Sequence, residues 1–147
     1  MNGILLIAHA PLASALRACA LHVFPDCAAA VAAVDVPPGE SPEDTLVRAR
    51  QAMGRLGSDE VLLIADVFGA TPCNVAQRLT DRRRIRVVTG VNVPMLWRVL
   101  CYAQEGAERL AERAVSGATQ GVMPVEVRAP QYQEPRSNHG QNRHHDQ

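Results

Sequence analysis

Residues 3–16, Gly-Ile-Leu-Leu-Ile-Ala-His-Ala-Pro-Leu-Ala-Ser-Ala-Leu, constrain the fold of this chain more than any other stretch. Residues 3–8 form an unbroken apolar run bounded by a turn signal at Pro11, as expected of a strand covered on both faces. Leu12, Leu16, Cys19 and Val23 then recur at helical spacing, so strand, short loop and helix follow one another, the opening of a βαβ unit. His9 stands where the strand ends. Open parallel sheets bind ligands in the crevice beyond the carboxyl ends of their strands, which places the imidazole to act as nucleophile, acid or ligand. A plain loop-capping histidine is the other reading of this segment taken alone.

The alternation continues along the chain. Residues 24–27 read as a turn and residues 28–36 as a second strand, ended by Pro37-Pro38-Gly39. Ser41-Pro42-Glu43-Asp44 supplies a cap, a proline at the first helical position and acidic residues in the first turn. Leu46, Ala49, Met53 and Leu56 make one apolar stripe, and Gly57 stops that helix. Residues 60–65 contain Val-Leu-Leu-Ile, a third buried strand ending at Asp66. Thr71 before Pro72 is again a cap and first-turn pair, so a helix over about residues 72–80 follows a tight glycine-containing loop. Residues 85–89 form a fourth strand, and Gly90-Val91-Asn92-Val93-Pro94 leads into a helix with Met95, Leu96, Val99, Leu100 and Ala103 inward. Asn92 serves equally well as a plain cap or as a site residue. A further helix is expected over residues 105–115, with Leu110, Ala111, Ala114 and Val115 inward. Residues 122–128 alternate at their end, and Pro124 makes them an edge strand. The fold class is therefore α/β: a doubly wound, mostly parallel central sheet of about four strands with helices on both faces, plus an antiparallel edge strand near the C-terminus. This domain occupies residues 1–130. Residues 131–147 are too polar to offset chain entropy by burial and are expected to form a disordered tail, whose His139, His144 and His145 lack the rigid frame a metal site needs.

Composition removes several functions. With 147 residues there is room for one domain. Fifteen basic against fifteen acidic residues give no field that would draw the chain to nucleic acid or anionic lipid. Every basic residue is Arg, and the lack of lysine excludes a Walker-type P-loop, a Schiff base and a kinase strand lysine. Arg82, Arg83, Arg84 and Arg86 lie between a helix end and a strand start, at the opposite end of the sheet from His9 and Asp66, and read as a solvated face. Cys19, Cys27, Cys73 and Cys101 show neither C-x-x-C nor metal spacing, as in a reducing compartment; Cys73, near a helix start, is the one with a route to reactivity. His22 sits beside the apolar stripe of the first helix and reads as structural. The N-terminus lacks a positive leader region, and no apolar run approaches the ~20 residues of a membrane helix, so a cytoplasmic protein without direct membrane insertion is expected.

If the first and third strands are neighbours, His9 and Asp66 meet over the start of the Pro72 helix. A carboxylate that accepts from one ring nitrogen fixes the tautomer and frees the other nitrogen as nucleophile. Helix-start amides and the Thr71 hydroxyl would hold an anion such as a phosphoryl group. At these residues the chain resembles a known family. Ile-Ala-His-Ala-Pro-Leu-Ala-Ser-Ala-Leu (7–16), Asp-Val-Phe-Gly-Ala-Thr-Pro-Cys-Asn-Val-Ala (66–76) and Gly-Val-Asn-Val-Pro-Met-Leu (90–96) are similar, in order and spacing, to the signature loops of the mannose-type enzyme IIA of the bacterial phosphoenolpyruvate-dependent sugar phosphotransferase system. The likeness runs over roughly residues 3–128. It implies a phosphocarrier: His9 would take a phosphoryl group from phospho-HPr and pass it to a IIB partner, Asp66 would orient His9, and Thr71 with the Gly69 and Ala70 amides would bind the phosphoryl oxygens. It also implies a homodimer that exchanges the final strand; no cofactor and no metal enter. Ala10 and Ala70 replace glycines common in the family. The same site would serve a regulatory phosphoprotein without sugar transport, or the phosphoryl-donor subunit of a dihydroxyacetone kinase; a nucleotide-binding module is disfavoured, since no phosphate loop is present.

Overall fold

An unbroken apolar run can hide only inside a sheet, and the computed structural model, which describes residues 1–126, places residues 3–8 there. β1 (Gly3–His9) pairs in parallel with β2 (Val31–Val36) on one side and β3 (Val61–Ala65) on the other, and β3 pairs in parallel with β4 (Ile85–Val88), giving the order β2-β1-β3-β4. Side chains alternate between faces along each strand. Ile4, Leu6, Leu62 and Ile64 meet α1 (Leu12–Val23), α4 (Val93–Cys101) and α5 (Ala107–Gln120). Leu5, Ile7, Val61 and Leu63 meet α2 (Pro42–Leu56) and α3 (Thr71–Leu79). Ser41 caps α2 by accepting from the Asp44 amide, and Gly57 ends it at φ +63°. The chain leaves β1 toward β2, then returns to β3 on the other side, so the order reverses between β1 and β3, the point at which such sheets place their ligands.

Four expectations need correction. α1 buries Ala13, Leu16 and Ala20, whereas Leu12, Cys19 and Val23 are exposed. The two stripes share Leu16, and the one with alanines lets the helix lie closer to the sheet. β2 starts at Val31, because residues 28–30 belong to a 3₁₀ turn (Pro25–Ala30) held by Arg17, which donates to the Ala28 carbonyl at 2.8 Å and the Val31 carbonyl at 2.7 Å. α5 runs on to Gln120 with Gly117 inward and Val115 exposed. Residues 122–126 form no strand within the single chain, since no ladder joins this segment to β4. Residues 127 and 128 of the expected edge strand, and the tail at 131–147, lie outside the described residues.

Gly117, in the last turn of α5, shows why a helix keeps a glycine before its end. A Cβ there would sit 2.6 Å from Arg98 Cβ and 3.2 Å from the Pro94 carbonyl oxygen, so the α4–α5 approach needs its absence. Gly to Ala inside a helix ordinarily gains close to 1 kcal/mol. Here Gly117→Ala is expected to cost about 1–3 kcal/mol through overpacking, read as a lower denaturation midpoint; a raised midpoint would show that α4 yields freely.

The two sheet edges differ. Parallel pairing leaves alternate residues of an edge strand with N–H and C=O pointing away from the sheet. On β2 these are Val31, Ala33 and Asp35, since Val36 accepts from the Ala10 amide across the β1 ladder. Arg17 occupies the Val31 carbonyl, and Arg48 donates to the Asp35 carbonyl at 2.9 Å. On β4 they are Ile85 and Val87, since Arg84 accepts from the Val61 amide. The Thr80 hydroxyl covers the Ile85 carbonyl, which leaves the Val87 backbone groups open at the β4 edge.

Candidate functional site

β1 and β3 are neighbours and parallel, with Ile7 opposite Ala65, so Asp66 leaves β3 beside the last two residues of β1. His9 and Asp66 meet there. His9 Nδ1 lies 2.6 Å from Asp66 Oδ2, the His9 backbone N–H donates to the same oxygen at 3.0 Å, and the Val67 N–H donates to Oδ1 at 2.9 Å. The Asp66 side chain is 11% exposed and that of His9 55%. Burial alone would push the Asp66 carboxyl up, but the His9 amide, the His9 ring and the Val67 amide together hold it below the ordinary carboxylate value. An ionised Asp66 accepts a proton-bearing Nδ1, which leaves the lone pair of Nε2 free in the exposed half of the ring.

The loop after Asp66 turns back by Gly69 at φ +87°. Its base is tied down, since the Gly90 N–H donates to the Asp66 carbonyl and the Val91 N–H to the Ala65 carbonyl. α3 begins one residue earlier than the Thr71-Pro72 pair suggests. Ala70 takes the cap position (φ −110°, ψ 169°) with no side-chain oxygen to offer, so Thr71 is the first helical residue. That corrects the expectation of Thr71 as a cap, because extended backbone geometry, not hydroxyl chemistry, selects the capping residue here. The Asn74 N–H donates to the Ala70 carbonyl, and α3 starts at the end of the sheet where His9 lies, so its unpaired first-turn amides belong to that end. Neither Ala10 nor Ala70 has positive φ, so alanine fits both places where glycine is common.

Other candidates fall away from this cluster. Asn92 is a cap for α4, accepting from the Met95 N–H at 2.8 Å while its amide donates to the Ala118 carbonyl at 3.2 Å. The arginines at 82–86 stand at the amino end of β4, opposite His9, where Asp81 Oδ1 accepts from the Arg83, Arg84 and Ile85 amides. Cys73 is buried, and His22 is exposed in the last turn of α1. Among the described residues no cluster of three or more His, Cys, Asp or Glu side chains could hold a metal, and no helix is long and apolar enough to cross a membrane. Sequence reasoning missed Asp35. Its carboxylate accepts from the Ser14 N–H at 3.0 Å and from the Ser14 hydroxyl, capping α1 from the neighbouring strand because Pro11 offers no capping side chain. An acidic residue inside an otherwise apolar strand was the available signal.

A family model described as "PTS system fructose IIA component", the EIIA-man family, matches residues 3–115. The chain belongs to this mannose-type IIA family. It is 31% identical over 106 residues to the "PTS system mannose-specific EIIAB component" of Escherichia coli K12, covering 66% of this chain and 33% of that protein. The Shigella flexneri protein of the same description gives the same figures. The chain thus spans about a third of the length of these curated relatives. Its fold is that of the mannose/sorbose-specific IIA subunit from Enterococcus faecalis, with a TM-score of 0.78 at 22% identity over 87% of this chain and 97% of that one. The phosphotransferase system component EIIA from Streptococcus agalactiae gives 0.73 at 22% identity, covering 84% and 97%. In this IIA chain the sheet order β2-β1-β3-β4 sets His9 against Asp66 at the reversal point.

Proposed function

We propose that the chain is a cytoplasmic phosphocarrier, a phosphotransferase that accepts a phosphoryl group from phospho-HPr on His9 and hands it to a IIB protein of a sugar phosphotransferase system. The 2.6 Å contact between His9 Nδ1 and Asp66 carries this reading, because it orients the ring and leaves Nε2 as the nucleophile. In the forward step the Nε2 lone pair forms a bond to phosphorus while the P–N bond of the donor breaks, its electron pair returning to the donor imidazole. Asp66 balances the positive charge that grows on the His9 ring, and the proton on Nδ1 stays in place. The Gly69 and Ala70 amides and the Thr71 hydroxyl receive the phosphoryl oxygens at the start of α3. Transfer onward reverses these bond changes with the acceptor as nucleophile. Such a reaction asks for positioning and charge stabilisation, and neither metal nor cofactor.

In this reading the chain works as a homodimer in which residues 122–128 of each copy add an antiparallel strand to β4 of the other. Two features support that: the Val87 backbone groups face outward at the β4 edge, and the Thr89 hydroxyl, just past the strand, is buried without a partner among the described residues. The direct test is incubation with phosphoenolpyruvate, enzyme I and HPr. A phosphoryl group that is lost in acid and kept in base is expected, as for a P–N bond to imidazole. No label, or an acid-stable one, would refute the carrier.

A further inference from the structure

The chain has two phenylalanines, and it leaves one of them in water. Phe68 is 73% exposed and Val67 50%, whereas Phe24 packs against the core. An exposed phenylalanine adds nothing to folding that a smaller polar residue would not, and the loop carrying it is not a loose one. Its base is fixed by the Gly90 and Asp66 hydrogen bond, its first amide donates to Asp66 Oδ1, and its far end opens α3. The ring therefore stands on a fixed mount two residues from the carboxylate that holds His9. Leu12, one turn past His9 at the start of α1, is exposed at the same end of the sheet.

This position sets what can touch it. The His9 side chain is more than half exposed, so its ring stands at the surface. A phosphoryl group must therefore arrive at Nε2 on a surface that covers the exposed ring, and that surface meets the neighbouring loop as well. We propose that Phe68 is the docking anchor for the protein that delivers the phosphoryl group, inserted into an apolar patch beside the donor's phosphohistidine, with Val67 and Leu12 as the surrounding contacts. The proposal rests on the phosphocarrier reading and adds the surface and the chemistry of the partner. Rigid aromatic side chains at the centre of a contact carry most of its binding energy, and the loss on truncation exceeds what area alone would give. Preorganisation of the loop lowers the ordering cost of docking.

The test compares two phosphoryl sources on the full chain. Phospho-HPr must dock, whereas phosphoramidate, a small chemical donor to histidine, needs only Nε2. Phe68→Ala is expected to slow labelling by phospho-HPr about 10-fold or more under second-order conditions while the phosphoramidate rate holds, and Phe68→Leu should recover part of the difference. Equal rates of the variant and the unaltered chain with both donors would overturn the anchor and leave the carrier standing. Equal slowing with both donors would also overturn it, showing that Phe68 shapes the site itself. If neither donor labels the unaltered chain, the carrier reading falls and the anchor falls with it.

Discussion

His9→Ala is expected to take up no phosphoryl group from phosphoenolpyruvate, enzyme I and HPr, with label falling to background. The nucleophile is a single nitrogen, and no neighbouring side chain can replace it. Asp66 is engaged by two backbone amides and its side chain is largely buried. The other described histidine, His22, lies in the last turn of α1, remote from the carboxyl ends of the strands. The substitution should not unfold the protein. The His9 side chain is more than half exposed, and Asp66 keeps its amide partners when the ring is gone, so stability should stay within about 0.5 kcal/mol. A folded variant that labels as well as the unaltered chain would move the phosphoryl group to another residue and dissolve the proposed mechanism.

Asp66→Asn should be the next most damaging change. An amide presents N–H where the carboxylate presented only acceptors, so it can receive the ring as an acceptor at Nδ1 and drive the proton to Nε2. The nucleophilic lone pair is then occupied. Loss of rate of up to about 10⁴-fold is expected, the scale on which a triad carboxylate acts through its histidine, with the labelled end point still reached. Asp66→Ala, which leaves the tautomer undecided, should lose less. The acid limb of stability provides a second readout. The folded carboxyl is held below its ordinary value of 3.8, so its contribution is fully present above that pH and disappears as pH falls through the lowered folded value. The Asn variant should lack this component of acid sensitivity. Rates equal to those of the unaltered chain would reduce Asp66 to a turn residue.

The buried strands were legible because burial on both faces leaves no polar position in residues 3–8 or 61–65, and the residues that end those runs were legible as site candidates for the same reason. His9 and Asp66 needed only the adjacency of β1 and β3 to become a pair. What stayed hidden depended on partners distant in sequence. Alanines at 28–30 suit strand or turn, and the Arg17 guanidinium decides between them. Gly117 looks like a helix terminator until the closeness of α4 is known. Asp35 reads as an interruption of a strand until Ser14 is seen above it. The α1 stripe was ambiguous on its own terms, since Leu16 belongs to either face. Thr71 was misjudged by one residue because Ala70 adopts the extended cap geometry without any polar side chain to announce it.

The unequal borders of the sheet also limit how far copies of this chain can associate through their strands. Guanidinium groups cover two outward carbonyls of the β2 margin, whereas the Val87 backbone groups leave the β4 margin room for one added strand. In the proposed dimer each molecule would cover the other's β4 side, so association through strands would end at a pair rather than run on as a ribbon.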